Sequence, residues 1–298
     1  MKTRTWAARH IAVPALWMLG ALLCLSGCNR EADPKAQTNK PIRVSVVGAS
    51  TIAPLISELA KAYEQEHPGV RIEVQAGGSA RGIMDVRSGT AVLGMVSRDL
   101  KPDEQDLVHA LIAKDGIGMI VNKSNPVAGL SKEQVIGIYT GQITNWKEVG
   151  GDDAPITVVS KAEGRSTLEI FSSFFGIHYK DIKAHVIIGD NQQSIQTVAG
   201  SPGAVGYVSI GSAEYEAGHG AAIRLIPMGN QVPSTASVAS GQYAISRDLN
   251  LVYKTPLNEQ VQDFVAYAQS KQAEDFVTRM YFIPVSYTHL TLPTKRIV

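Results

Sequence analysis

Cysteine is nearly absent from this chain. Among 298 residues only two occur, Cys24 and Cys28, both close to the N-terminus. The rest of the protein therefore has no disulfide framework and no cysteine-built metal centre. An excess of one charge is also missing, since 28 Lys and Arg face 27 Asp and Glu. Residues 1–27 hold Lys2, Arg4 and Arg9 and no acidic residue, which leaves 25 basic against 27 acidic residues and a net charge of −2 beyond them. That balance excludes a general nucleic-acid binder, which needs a positive field. Long apolar runs are confined to Ile11–Leu25, so a polytopic membrane protein is excluded. The seven histidines lack the paired spacing of a zinc site. The stretch Gly77-Gly78-Ser79-Ala80-Arg81 lacks the Gly-Lys-Ser/Thr ending of a phosphate loop. Arg81 also stands where a nucleophile elbow needs its second glycine. These absences argue against an enzyme and against a bound cofactor.

What is present starts with a basic N-terminus followed by the apolar run Ile11–Leu25, broken by Pro14. This is too short for a stable spanning helix and suits a signal peptide over residues 1–27. The run ends in Leu25-Ser26-Gly27-Cys28, the form of a bacterial lipobox. Cys28 is then the lipidated first residue of the mature chain, and acylation by more than one chain makes membrane attachment durable. Residues 28–40 are polar and aperiodic and read as a flexible tether. The expected location is extracytoplasmic, anchored to a bacterial membrane by lipid.

From Pro41 the pattern is strand–helix alternation. Ile42–Val47 reads as a strand, and Ile52, Leu55, Ile56, Leu59 and Tyr63 as one helical face. Val70, Ile72 and Val74 alternate as a second strand, and Val92–Val96 forms a third. Leu107, Val108, Leu111 and Ile112 predict a helix, and Ile117–Val121 a central strand. Ser131 with Gln134, and Ser166 with Glu169, have capping-box spacing. Further strands are expected at Ile156–Ser160, Gly203–Val208 and Leu249–Tyr253, and two helices close the pattern. This alternation predicts an α/β fold with mainly parallel sheets flanked by helices.

Several strand ends carry small hydroxyl residues before a helix: Ser50-Thr51, Ser79 and Ser166-Thr167. Ser97-Arg98 follows another strand, and Lys161 and Arg165 lie beside the third loop. Hydroxyls and unpaired N–H groups at helix N-termini make anion sites, and ligands of open α/β sheets sit at the carboxyl ends of strands. Basic side chains supply the counter-charge. Any one such hydroxyl can be a simple cap, but the set points to a small oxyanion.

From Arg43 to Val285 the chain resembles the phosphate-binding component of ABC importers, the PstS-like family. The resemblance rests on Val47-Gly48-Ala49-Ser50-Thr51, Gly78-Ser79-Ala80-Arg81-Gly82, the run from Ile138 to Gly151 around Asn145-Trp146, and Ala199 to Val208. It implies a type II periplasmic-binding fold: two lobes joined by two hinge strands, with the anion held between them. The crossings are expected near Ile117–Val121 and Ser234–Ile245. Lobe one is then residues 41–119 plus 237–285, and lobe two residues 120–236. Carried over by position, Ser50, Thr51 and Ser79 match two anion loops. The third loop reads Glu163-Gly164-Arg165-Ser166-Thr167 where the family has acid-Gly-Ser-Gly-Thr, and Lys161 stands where many relatives have Arg. Some relatives place a carboxylate after the third strand to accept the phosphate proton, whereas this chain has Ser97 and Arg98 there. Weaker discrimination against sulfate follows.

The function so implied is capture of inorganic phosphate and delivery to a membrane permease, by a monomer that performs no chemistry. The site expected is Ser50, Thr51, Ser79, Ser97, Arg98, Lys161, Arg165, Ser166 and Thr167, with Arg98 and Arg165 contacting the anion from opposite lobes. Another tetrahedral oxyanion such as sulfate or molybdate is an open alternative, as is a secreted phosphate-ester hydrolase using Ser79 or Ser166. Residues 286–298 have no periodicity and no family counterpart, and read as a non-native tail.

Overall fold

Val44 and Val46 point inward from β1 (Ile42–Gly48), the strand on which the first half of the molecule is built. The computed structural model describes residues 41–286. The signal segment, the tether with Cys28 and residues 287–298 of the tail lie outside the described residues. After β1 comes α1 (Ala53–Glu66), with Pro54 in its first turn, where a missing N–H breaks no helical bond. β2 (Val70–Ala76) and β3 (Leu93–Val96) both pair with β1 in parallel, and α2 (Ser79–Ser88) joins them. β4 (Val108–Asn122) is the longest strand among the described residues. α3 (Lys132–Tyr139), β5 (Thr157–Lys161), α4 (Ser166–Phe175) and β6 (Val186–Ile188) follow. Next come α5 (Asn191–Ala199), β7 (Ala204–Ser209), α6 (Ile210–Gly218), β8 (Ile223–Ile226) and α7 (Thr235–Ala239). The described chain ends with β9 (Ser246–Tyr253), α8 (Glu259–Ala268), α9 (Lys271–Arg279) and β10 (Ile283–Pro284).

The strands form one sheet in the order β2-β1-β3-β9-β4-β7-β5-β6, with β8 and β10 also paired to β4. The flanks are parallel, as strand–helix alternation requires: β2 and β3 on β1, β6 and β7 on β5. The centre is antiparallel, because β4 meets β9 along one end and β7 along the other. Two main cores result. One gathers Val46, Leu55, Leu59, Leu93, Leu249 and Phe264. The other gathers Met119, Ile138, Tyr139, Phe171 and Tyr207. Trp146 packs in the second core and donates its indole N–H to Gly203 O at 2.9 Å. It is a packing residue here.

Ile117, Met119, Val238, Tyr243 and Ile245 all belong to the second core, although the expected boundaries assign them to the first lobe. Along β4 the second core begins at Ile117, and Ile245 is its last residue before β9. There the Ile117 N–H donates to Ile245 O at 2.9 Å.

The helix expected over Leu107–Ile112 is the start of β4 instead. A register shift between Leu111 and Ala113 breaks the strand's alternation and buries Ile112 and Ala113 together. The apolar spacing then imitates a helix. The box at Ser131 is formed: Gln134 N–H donates to Ser131 Oγ at 3.1 Å, and Ser131 N–H to Gln134 Oε1 at 2.8 Å. The one expected at Ser166 and Glu169 is not. Arg165 is the N-cap of α4 and no side chain caps it, because both residues are turned to other partners.

Candidate functional site

Four helices begin near one another: α1 packs in the first core, α4 in the second, and α2 and α5 each in a smaller apolar cluster. Each presents backbone N–H groups without helical partners and the positive end of its dipole. Glycine lets the loops reach this point. At Gly48 (φ +146°) an added Cβ would fall 2.2 Å from Met95 O, and at Gly78 (φ +95°) 2.8 Å from Gly164 O. The second contact brings the α2 loop against the α4 loop, where Ala80 N–H donates to Gly164 O at 3.4 Å.

The hydroxyls meet there. Ser79 is fully buried and its Oγ accepts from Ser97 N–H at 3.2 Å. Ser97 Oγ lies 2.6 Å from Ser166 Oγ, a buried bond from β3 to α4. Thr51 Oγ1 accepts from Asn191 Nδ2 at 3.2 Å. Ser50, half-buried, has no hydrogen-bond partner among the described residues. Ser79, Ser97, Ser166, Thr51 and Thr167 are thus brought together, with Ser50 beside them on the α1 loop.

The central cation is one that sequence reading passed over. Arg247, at the start of β9, is 4% exposed. Its Nε and one terminal nitrogen donate to Asp115 Oδ2 at 3.0 and 2.7 Å. The terminal nitrogens also donate to Thr51 Oγ1 at 3.2 Å and Thr167 Oγ1 at 2.9 Å. One guanidinium therefore spans hydroxyls at the N-termini of α1 and α4, helices of opposite cores. Asp115 is itself 1% exposed and accepts from Gly211 N–H at 3.3 Å with its other oxygen. Sequence did hold a signal. Ser246-Arg247-Asp248-Leu249 repeats the tetrapeptide Ser97-Arg98-Asp99-Leu100; one copy opens β9 and the other directly follows β3, its neighbour in the sheet. Asn191 had no such marker, since nothing local shows that α5 meets α1.

Arg98, expected at the site, is engaged by carboxylates in this structure. It is buried, and its terminal nitrogens donate to both oxygens of Glu104 at 2.6 and 2.8 Å and to Asp99 O at 2.9 Å. Its Nε lies 2.8 Å from Glu169 Oε2. Burial works against both partners, but their mutual bonds outweigh it. Arg98 is held above the ordinary arginine value and Glu104 below the usual carboxylate range. Its charge is met locally by these carboxylates. Glu169, the expected cap residue, is occupied with Arg98 and Lys101. A cleft of about 480 Å³ opens beside Arg98 and Arg247, lined also by Lys101, Glu169, Phe174 and Ile245.

Lys161 and Arg165 complete the basic set. Arg165 is half-buried and runs between Gly78 and Gly189, with no ion-pair partner among the described residues. Lys161 is 4% exposed and donates from Nζ to Asp190 O at 2.6 Å. Burial above all, opposed by Asp190 but reinforced by Arg247 and Arg165, pulls its ammonium group down to about 7. Tyr207, whose hydroxyl accepts from Lys161 N–H at 3.2 Å, is pushed up to about 12 by burial. The arrangement offers hydroxyls, helix N-termini and clustered cations to something small and negatively charged.

Residues 32–272 match the model of a PBP superfamily domain. The chain belongs to the PBP superfamily. It is 26% identical over 295 residues to phosphate-binding protein PstS of Bacillus subtilis, covering 93% of this chain and 94% of that one. A solved structure from Clostridium perfringens is described as a putative phosphate ABC transporter substrate-binding protein with bound phosphate. It is 33% identical, with a TM-score of 0.76, covering 82% of this chain and 99% of that one. An ABC-type phosphate transport receptor from Vibrio cholerae is 31% identical, with a TM-score of 0.67, covering 80% and 99%. The superfamily match and these structures agree with a two-core α/β architecture. Among the described residues no helix is long and apolar enough to cross a membrane.

Proposed function

We propose that the chain binds inorganic phosphate between two lobes and delivers it to an ABC importer. The observation that carries this reading is Arg247, whose guanidinium reaches hydroxyls from α1 and α4 at once. A tetrahedral oxyanion needs donors on several sides as it leaves water, and charge-assisted donors are the strongest. Ser50, Thr51 and Ser79 would serve from one lobe, Ser166 and Thr167 from the other, with Ser97 between them. Arg247, Lys161 and Arg165 would balance the charge. Phosphate is preferred over sulfate or molybdate because the relatives at 31% and 33% identity carry phosphate in their descriptions.

In this reading the lobes are divided at Gly116–Ile117 and Ile245–Ser246, and the two strands crossing there form the hinge. The closed, liganded form docks on the permease, since a ligand that touches both lobes favours closure. The protein acts as an extracytoplasmic carrier without catalysis, held to the membrane through lipid on Cys28. Detergent-phase partitioning that Cys28→Ala abolishes would support the anchor, and aqueous recovery of the wild type would remove it. The central test is calorimetric titration with phosphate, sulfate and molybdate. Saturable binding of phosphate in preference to the other two is expected. Preference for sulfate or molybdate would reassign the ligand, and no binding of any would overturn the reading.

A further inference from the structure

Lys161 is the unusual cation of the site. It sits at the end of β5, 4% exposed, and its single side-chain hydrogen bond runs to a main-chain carbonyl, Asp190 O, at 2.6 Å. Among the described residues no carboxylate lies within ion-pair distance of its Nζ. The Asp115 carboxylate is committed to Arg247 and to Gly211 N–H. The Asp190 carboxylate, from the N-cap of α5, is nearby but bonded to Gln193 N–H at 2.8 Å. From β9 and from the start of α4, Arg247 and Arg165 face Lys161 with like charge. From β7, Tyr207 turns its hydroxyl to the Lys161 main chain and to Ser160. A buried amine between two guanidinium groups, with only a carbonyl to hold it, is unfavourable as a cation.

An incoming dianion reverses that balance. It neutralises the guanidinium field and gives the ammonium an opposite charge at close range. We propose that anion capture at this site is coupled to uptake of one proton by the Lys161 amine, so that Lys161 takes the place of a fixed carboxylate as the group that senses the ligand's protonation. Phosphate arriving as the dianion leaves the proton to come from solvent, and an N–H bond forms at Nζ. Phosphate arriving as the monoanion transfers its own O–H proton to Nζ. Both routes end in the same bound state, a dianion beside an ammonium group, with charge and protons conserved. The burial and charge pattern that pulls Lys161 down to about 7 puts the neutral amine in reach under ordinary conditions.

The proposal rests on the phosphate reading, and the test separates the two. Phosphate is titrated calorimetrically into the full chain at pH 8.5, in buffers of different ionisation enthalpy. Uptake of about one proton per anion is expected from the slope of observed heat on buffer enthalpy, with Kd rising about tenfold per pH unit above pH 8. Lys161→Arg, which cannot lose its proton in this range, should show no buffer dependence and a flat Kd. It should bind phosphate more tightly than wild type at pH 9. Lys161→Met should bind weakly at every pH. Tight wild-type binding with buffer-independent heat would overturn proton coupling and leave the phosphate reading intact. No binding of phosphate in any buffer would overturn both.

Discussion

The two Ser-Arg-Asp-Leu segments, residues 97–100 and 246–249, are identical in sequence; the first follows β3 and the second opens β9, its neighbour in the sheet. They do different things. Arg98, just after β3, finds a carboxylate six residues away in Glu104, which takes both of its terminal nitrogens. Arg247, opening β9, finds its carboxylate 132 residues away in Asp115, and its terminal nitrogens still reach Thr51 and Thr167. The carboxylate of each pair decides the role. Glu104 binds Arg98 with both oxygens, and no hydroxyl is hydrogen-bonded to its guanidinium among the described residues. Asp115 engages Arg247 through one oxygen, Oδ2, and leaves donors aimed at the helix N-termini. A local pair makes an arginine structural, whereas a long-range pair at the crossing of β4 and β9 holds an arginine at the site.

The largest effect should follow from breaking the second pair. Arg247→Met leaves Asp115 buried without its partner, which should cost about 3–5 kcal/mol of stability by chemical denaturation. Phosphate affinity should fall at least tenfold, since removing a buried charged donor costs about 2–5 kcal/mol. Pairing it with Asp115→Leu separates the two losses. The double variant should recover most of the stability, because a buried ion pair can be replaced by apolar residues at little cost. It should not recover affinity. A double variant that binds phosphate like the wild type would remove Arg247 from the site.

Arg98→Met gives the sharper contrast. Stability should drop by about 3 kcal/mol, at the low end of the range for a broken buried pair, because Glu104 keeps the Lys101 N–H at 2.9 Å. Phosphate titration should give a Kd within about threefold of wild type, as expected for a group that does not reach the ligand. A tenfold weaker Kd with the fold intact would return Arg98 to the site and undo the distinction drawn between the two segments.

The same division separates what the sequence revealed from what it hid. The flanks were legible because their signals are local. Alternation wrote β1 and β2, three- and four-residue spacing wrote α1, and Ser131 with Gln134 marked the start of α3. The hydroxyl loops were legible too, each being a strand end followed by a helix start. The centre was not. The register shift at Leu111–Ala113 disguised the start of β4 as a helix, and the partner that makes it a strand, β9, lies far along the chain. Ser166 and Glu169 matched a capping box, but their real partners, Ser97 and Arg98, come from β3 and its loop. Arg98 directly follows a strand end and its serine, and so reads as a site cation from sequence, whereas the role of Arg247 depends on its partner. Asp115, which decides the matter, is close only in space.

The smallest effect isolates the Arg98–Glu104 pair by acid. Glu104 is held below its ordinary value because its bonds to Arg98 and to Lys101 N–H outweigh burial. A carboxylate depressed in the folded state contributes stability that is fully present above its unfolded value. That contribution is lost as pH falls through the lower folded value. Wild-type denaturation midpoints should therefore fall between about pH 5 and pH 3, the window just below the ordinary glutamate range. Other carboxylates contribute in this window as well, among them Asp106, which is lowered chiefly by its bond to Arg87. They are common to both proteins, so the informative quantity is the difference between the wild-type and Arg98→Met curves. Without the guanidinium, only the Lys101 N–H bond and the Lys101 charge oppose burial, so Glu104 moves up and the variant loses less at this residue on acidification. The gap between the curves should be widest near neutral pH and narrow steadily on acidification. A constant gap would mean that Arg98 stabilises the fold through packing of its stem, and that the ion pair is incidental.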